Sequence, residues 1–307
     1  MPARLRPLAA LCAVLMVAGC TGPLADQLGA SAVPTQAPVA VTGPQGTVPE
    51  LEYSRPFDVV RPGSRTLRPG TGEVLAEGED VLLDMYAEDG RDGSVITSTY
   101  QDAPSWHTFS AESLGPNVYE SLRGKRVGAR VLVTDMDDGV PVVLVIDVLP
   151  TRADGEDVTI PEDLPQVLRS QDGEPAVVVP DGDPPTELVV QPVVRGDGPQ
   201  VAVGQVVTAR YVAVRWSDGS VVDSSWVHGV APQSETIGIG RLVEAWDQGL
   251  LEQSVGTQVM LVAPPGLAHG GTSSELADDT IVYVVDILDA RYQAAEEAPP
   301  DESIEGE

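Results

Sequence analysis

Apolar and polar positions alternate in short runs along this chain. Residues 206–214, 258–263 and 280–288 are rich in β-branched side chains and bounded by Gly, Pro and Asp, a pattern that predicts strands. Ser217-Asp218-Gly219-Ser220 lies between two such runs and predicts a turn. One segment departs from the strand pattern. Leu242, Val243, Trp246 and Leu250 recur at i, i+1, i+4 and i+8, which places them on one face of a short helix. A small antiparallel sheet packed on one short helix is the architecture these patterns predict, in the α+β class.

The same pattern occurs twice. Gly72, Gly78, Asp92-Gly93 and Ser94-Val95 recur as Gly198, Gly204, Asp218-Gly219 and Ser220-Val221, 126 residues later. Leu122, Val127-Gly128 and Val131 recur as Leu250, Val255-Gly256 and Val259, 128 residues later. Val145-Ile146-Asp147-Val148-Leu149 recurs as Val284-Val285-Asp286-Ile287-Leu288, at an offset of 139. Copy two therefore holds eleven residues that copy one lacks, between the strand at Val259 and the strand at Tyr283, around the stretch from Pro264 to Gly271. Between the copies, residues 153–185 are rich in Asp, Glu and Pro and predict an acidic connector with one extended segment at 176–179.

The N-terminus changes the picture by setting a compartment. Arg4 and Arg6 precede an apolar stretch at residues 8–17, too short to span a bilayer, followed by small residues: the layout of a secretory signal peptide. Val17-Ala18-Gly19-Cys20 resembles a bacterial lipobox, in which the cysteine becomes the N-terminus and carries the lipid. Residues 1–19 are then removed, Cys20 is the lipidation site, and the protein is expected to be exported and held by that lipid to the outer face of the cell membrane. Cys12 would leave with the signal peptide, so the mature chain has no second cysteine for a disulfide. Residues 20–63, rich in Ala, Pro, Gly, Thr and Val, are expected to form a flexible stalk.

Eighteen basic residues face 47 acidic ones, for a formal net charge of −29. Loss of residues 1–19 removes two arginines and no acid, so the mature chain is more acidic still. Nucleic acid is an improbable partner, because phosphate binding needs clustered cations. Residues 294–307 predict a solvated acidic tail. His107, His228 and His269 stand far apart without ligand spacing, so no metal site is expected.

Copy two resembles the FKBP family of prolyl isomerases. The resemblance rests on Tyr211, the run Asp218-Gly219-Ser220-Val221-Val222-Asp223-Ser224-Ser225, the helix from Leu242 to Leu250, Val255-Gly256, Pro264-Pro265 and Tyr283. It implies two FKBP-like domains, residues 64–152 and 186–293, each an antiparallel half-barrel sheet wrapped on one short helix. It also implies an apolar pocket with Trp246 as floor, Tyr211 and Tyr283 as walls and Asp223 at the edge as the catalytic set. Val222, Leu242, Val243 and His269 would contact substrate. Where the family usually carries Phe this chain has Val222, with a second such Phe near Gln233 or Glu235, and His269 stands where the family has Tyr. In copy one, Met85, Thr97 and Val118 stand at the positions of Tyr211, Asp223 and Trp246, so the first domain is expected to be degenerate.

The resemblance implies a peptidyl-prolyl cis-trans isomerase that needs no cofactor. Its expected partners are unfolded or proline-containing exported polypeptides, and a monomer is expected. The alternative is a non-catalytic peptide-binding chaperone that uses the same pocket.

Overall fold

The structure is a computed structural model that describes residues 36–170 and 172–293. Cys20, the signal peptide and the acidic tail lie outside the described residues. None of the described helices is long and apolar enough to cross a membrane.

The β-branched runs build two sheets of the same design, and every strand pair in them is antiparallel. In the first half, the hairpin β1 (Ala40–Thr42) and β2 (Glu50–Glu52) precedes β3 (Gly63–Arg68), β4 (Asp80–Asp89), β5 (Val95–Ser98) and β6 (Ser105–Thr108). Two short helices follow, α1 (Ala111–Leu114) and α2 (Pro116–Leu122), then β7 (Arg130–Asp137) and β8 (Val140–Leu149). The strand order is β3-β7-β8-β4-β5, with β6 also on β4.

The second half opens with β9 (Glu156–Asp157) and the hairpin β10 (Gln166–Arg169) and β11 (Pro175–Val178). It continues with β12 (Val189–Arg195), β13 (Val206–Arg215), β14 (Val221–Ser224) and β15 (Gln233–Thr236). Helix α3 (Glu244–Gly249), β16 (Gln258–Ala263) and β17 (Ile281–Arg291) complete it. Here the order is β14-β13-β17-β16-β12-β9, with β15 on β13.

Register shows the duplication directly. Met85 lies opposite Ile146 as Tyr211 lies opposite Val285, and Ala87 opposite Thr97 as Ala213 opposite Asp223. The repeat also extends further toward the N-terminus than the sequence signals do. Ala40 pairs with Glu52 and Gln166 with Val178, again 126 residues apart. Each sheet is thus preceded by its own hairpin.

These hairpins correct two expectations. Part of the expected stalk, residues 36–62, and much of the expected connector are ordered cover for the outer faces of the sheets. Val41, Leu51 and Tyr53 pack on Leu132, Val143 and Val145, while Val167, Val177 and Val179 pack on Met260, Val262, Val282 and Val284. A sheet buried on both faces needs such a third layer. The extended segment expected at 176–179 is β11; elsewhere the Pro- and Gly-rich background hid the alternation, because the apolar side chains are sparse there and their partners are distant in sequence.

The helix also differs from its expected span. Leu242 and Val243 precede α3 and Leu250 follows it; Val243 is the N-cap, with extended backbone at φ −60° and ψ 140°. Asp247 accepts the N–H groups of Gly238 and Gly240 at 2.7 Å each, which holds the entering chain out of the helix. All four apolar side chains still meet one core, with Trp246 and Leu250 buried in it. The first half carries two helices where one was expected, because Gly115 at φ 76° and Pro116 at the start of α2 break the helical run.

Candidate functional site

Strand alternation decides which side chains face α3. Along β13, Tyr211 and Ala213 point into the core beneath the helix, while Val212 and Val214 pack on the hairpin side. Tyr283 of β17 lies directly opposite Ala213, and so does Asp223 of β14. A register shift in the β13–β14 pair between Ala213 and Val214 lets Val222 turn inward beside them.

These elements enclose a cavity of about 290 Å³. The structure brings together Tyr211, Val222, Asp223, Leu242, Val243, Trp246, His269 and Tyr283 on its walls. Trp246 lies at its base, edge-on to both phenol rings: its centroid is 5.1 Å from Tyr211 and 6.1 Å from Tyr283, with interplanar angles of 86° and 90°. Crossed aromatic rings of this kind favour one another electrostatically and hold the indole in a fixed plane. The indole N–H is buried and has no hydrogen-bond partner among the described residues.

Polar groups ring this apolar base. Tyr211 donates its hydroxyl to Asp223 Oδ2 at 2.5 Å and accepts from Gln233 Nε2 at 3.3 Å. Asp223 also takes the Ser224 N–H, which fixes the carboxylate at the edge of β14. On the far wall, the Tyr283 hydroxyl and His269 Nε2 are 3.2 Å apart and share a hydrogen bond. Burial, then the hydrogen bond and charge of Asp223, push the Tyr211 phenol well above its ordinary range. Burial, then the Asp223 charge, push Tyr283 up to about 12. Both phenols therefore stay protonated and keep their hydrogens to donate.

His269 is carried by the loop that copy one lacks. Between β16 and β17 the chain makes a short turn at Pro265–Leu267, and Gly270 donates its N–H to the Pro265 carbonyl at 2.6 Å. In the first half, β7 and β8 are joined instead by a tight turn at Asp138-Gly139. There Met85 and Val118 pack against a core that includes Phe109, whose ring lies 5.0 Å from that of Tyr119.

Three further lining residues, Ala213, Gln233 and Leu276, were not among the expected site residues. Leu276 carried a signal, as the one large apolar side chain in the polar run from Gly271 to Thr280. Gln233 was signalled only by the family resemblance, which puts an aromatic wall near Gln233 or Glu235; by itself a polar residue at a strand end reads as surface. What the cavity offers is an apolar seat for a small ring, two protonated phenols and one carboxylate at the rim. That is a place for a neutral amide next to an apolar ring.

The sequence of this half is similar to one family of known proteins. The family described as "FKBP-type peptidyl-prolyl cis-trans isomerase" matches residues 198–288. An FK506-binding protein of Streptomyces anulatus is 35% identical over 118 residues, which cover 37% of this chain and 94% of that protein. A probable FK506-binding protein of Corynebacterium glutamicum is 30% identical over 118 residues, 38% of this chain and 98% of that protein. Among solved structures, the three FKBP domains of wheat FKBP73 align at 16% identity over 75% of this chain and 94% of that one, with a TM-score of 0.32.

Proposed function

Because the chain belongs to the family of FKBP-type peptidyl-prolyl cis-trans isomerases, we propose that the cavity around Trp246 is where it turns X-Pro bonds. An X-Pro bond rotates slowly because rotation interrupts amide resonance, a barrier of roughly 18–20 kcal/mol. The site accelerates this by holding the twisted amide better than the planar one. The proline ring sits on the Trp246 face between Tyr211 and Tyr283. Around it the apolar walls exclude the water that favours the polar, planar amide. Tyr211 gives its hydrogen to Asp223, which fixes that wall, and on the other wall the Tyr283–His269 pair supplies the donor for a carbonyl of the twisted chain.

One observation carries this reading: Trp246, both phenols and Asp223 converge on one cavity, although they come from four separate elements. Proline isomerisation by the full chain is its test. Trp246→Leu removes the floor and should lower kcat/KM about ten-fold or more, corresponding to roughly 1.4 kcal/mol or more of transition-state binding. Asp223→Ala removes a rim hydrogen bond and should cost a few-fold to about a hundred-fold, while its exposed position leaves the melting temperature near wild type. If both variants are folded and isomerise at the wild-type rate, the site is elsewhere. Gln233 and Val222, where the family resemblance calls for aromatic walls, favour a second reading as a peptide-binding chaperone. Client binding by wild type, with no rate above background, would select it.

The two-domain reading belongs to the same proposal: residues 64–152 are a degenerate FKBP-like domain that lacks the catalytic set, and residues 186–293 do the work. The setting is the outer face of the cell membrane, where the chain would act as a lipid-anchored monomer on exported, proline-containing polypeptides. Support for the anchor is the Val17-Ala18-Gly19-Cys20 motif behind its basic and apolar leader. Cys20→Ser should move the protein from the membrane fraction to the soluble fraction of its host. Unchanged membrane fractionation would end the lipoprotein reading.

A further inference from the structure

The duplication lets one half of the chain serve as a reference for the other. In the first half, Arg130 of β7 lies opposite Asp147 of β8, and both are buried. Arg130 donates Nε and Nη2 to the two carboxylate oxygens at 2.7 Å each. Its remaining N–H groups go to the Gly43 and Pro44 carbonyls in the β1–β2 turn, at 2.7 and 3.0 Å. A buried carboxylate is thereby matched by a forked cation, and the hairpin turn completes the cradle.

In the second half the same register places Gln258 opposite Asp286, each 1% exposed. Asp286 accepts Gln258 Nε2 at 2.7 Å and the Ala153 N–H at 2.8 Å, and makes no ion pair among the described residues. Gln258 Oε1 is buried and has no donor among the described residues. Against these two side chains lies a cavity of about 340 Å³, walled by Arg169, Ser170 and Gly173 of the β10–β11 turn. By the 126-residue offset these are the counterparts of Gly43, Pro44 and Thr47, from the turn that receives Arg130 in the first half. An anion, an unsatisfied acceptor and the equivalent turn therefore surround a space in one copy, where the other copy holds a guanidinium.

We propose that this cavity binds an alkylguanidinium group, seated against Asp286 and Gln258 as Arg130 is seated against Asp147. Charge favours a cation, because the buried carboxylate has no cation in ion-pair contact among the described residues and only the fields of Arg210, opposite it on β13, and Arg169 offset its burial. Planarity and multiple donors favour guanidinium over ammonium, since Gln258 Oε1 and the carboxylate present separate acceptors. The volume leaves space for an alkyl stem behind the head group. Two arginines line the same cavity, and each has a carboxylate of its own: Arg152 pairs with Glu73 at 2.5 Å, and Arg169 pairs with Asp157. The site lies on the hairpin side of the second sheet, away from the Trp246 cavity.

The test uses the full chain, titrated at constant ionic strength with agmatine, with an acetyl-Gly-Arg-Gly amide and with butylamine. Heat of binding and thermal melts are the readouts. Agmatine or the peptide should raise the melting temperature by about 2–4 °C at ten times its Kd, with butylamine well behind. Tighter binding of agmatine identifies a free small molecule as ligand, and tighter binding of the peptide identifies an arginine side chain of a polypeptide. Gln258→Arg should supply the guanidinium internally, as Arg130 does, and remove the response while isomerase activity is kept. Asp286→Asn should remove it too, and decides the matter should Gln258→Arg fail to fold. No response of wild type to either guanidinium probe, or an equal response in wild type and a folded variant, overturns the proposal.

Discussion

Asp286 shows how much one buried side chain can cost. Burial raises its pKa from 3.8 to about 6, against the opposing pull of the Ala153 N–H, Gln258 and more distant arginines. A carboxylate raised in the folded state binds more protons there than in the unfolded chain. The contribution of Asp286 to stability is therefore highest below about pH 4, falls as pH rises to about 6, and stays reduced above that. The penalty at neutral pH is about 3 kcal/mol. Asp286→Asn removes the charge, and a turned Gln258 amide can then accept the new N–H with its otherwise unpaired Oε1. Urea melts should show the variant more stable than wild type by about 1–3 kcal/mol at pH 8, with the gap closing by pH 4. An equal gap at both pH values would mean that ionisation of Asp286 is not the cause. Gln258→Arg should flatten the same pH dependence, because it recreates the Arg130–Asp147 arrangement.

The loop between β16 and β17 is the element that copy two has and copy one lacks, and its shape rests on one glycine. A Cβ at Gly270 would stand 2.5 Å from the Pro265 carbonyl oxygen and 2.7 Å from its carbon, so the backbone there closes too tightly for any side chain. Gly270→Ala should push the loop outward and carry His269 away from Tyr283. Activity is then expected to fall more than several-fold, while the fold, anchored in β16 and β17, loses only about 1–3 kcal/mol. Unaltered turnover in Gly270→Ala would show that the loop plays no part at the site. The eleven extra residues were readable from the change in repeat offset, and the strands of the second half were readable because β-branched runs with Gly, Pro and Asp boundaries are a local signal. Residues of the cavity were reachable only through the family resemblance, since Trp246, Tyr211 and Tyr283 look like ordinary core. Of the two hairpins only β11 was legible, as the extended segment expected at 176–179. Val41, Leu51 and Val167 carried no such signal, because their meaning comes from sheet faces at Leu132, Val143, Met260 and Val262, more than 70 residues away in the chain.

From Gln36 onward the described chain forms one compact unit, and a buried ion pair joins its two halves. Arg291, at the end of β17, donates Nη1 and Nη2 to the two oxygens of Asp84 in β4 at 2.9 and 2.8 Å. Asp84 is fully buried and Arg291 is 8% exposed. Burial opposes the arginine's charge, but Asp289 and Asp84 more than compensate and hold its pKa above the ordinary value. The guanidinium also lies 5.6 Å from the Tyr100 ring of the first half. Nearby, Gln293 donates to Asp102 and the Gly229 N–H reaches Asp80, so several polar contacts cross the same boundary. Such a pair adds little net stability over an apolar replacement, yet breaking it leaves a carboxylate stranded in the interior. Arg291→Ala should cost about 3–5 kcal/mol for that reason. Adding Asp84→Leu should recover part of the loss, since the stranded charge goes with it. The two halves should also uncouple. Calorimetry is expected to give one cooperative transition for wild type and two for Arg291→Ala, with Trp246 fluorescence following only one of them. A single transition at the wild-type temperature in Arg291→Ala would show that the other contacts across the boundary hold the halves together without the ion pair.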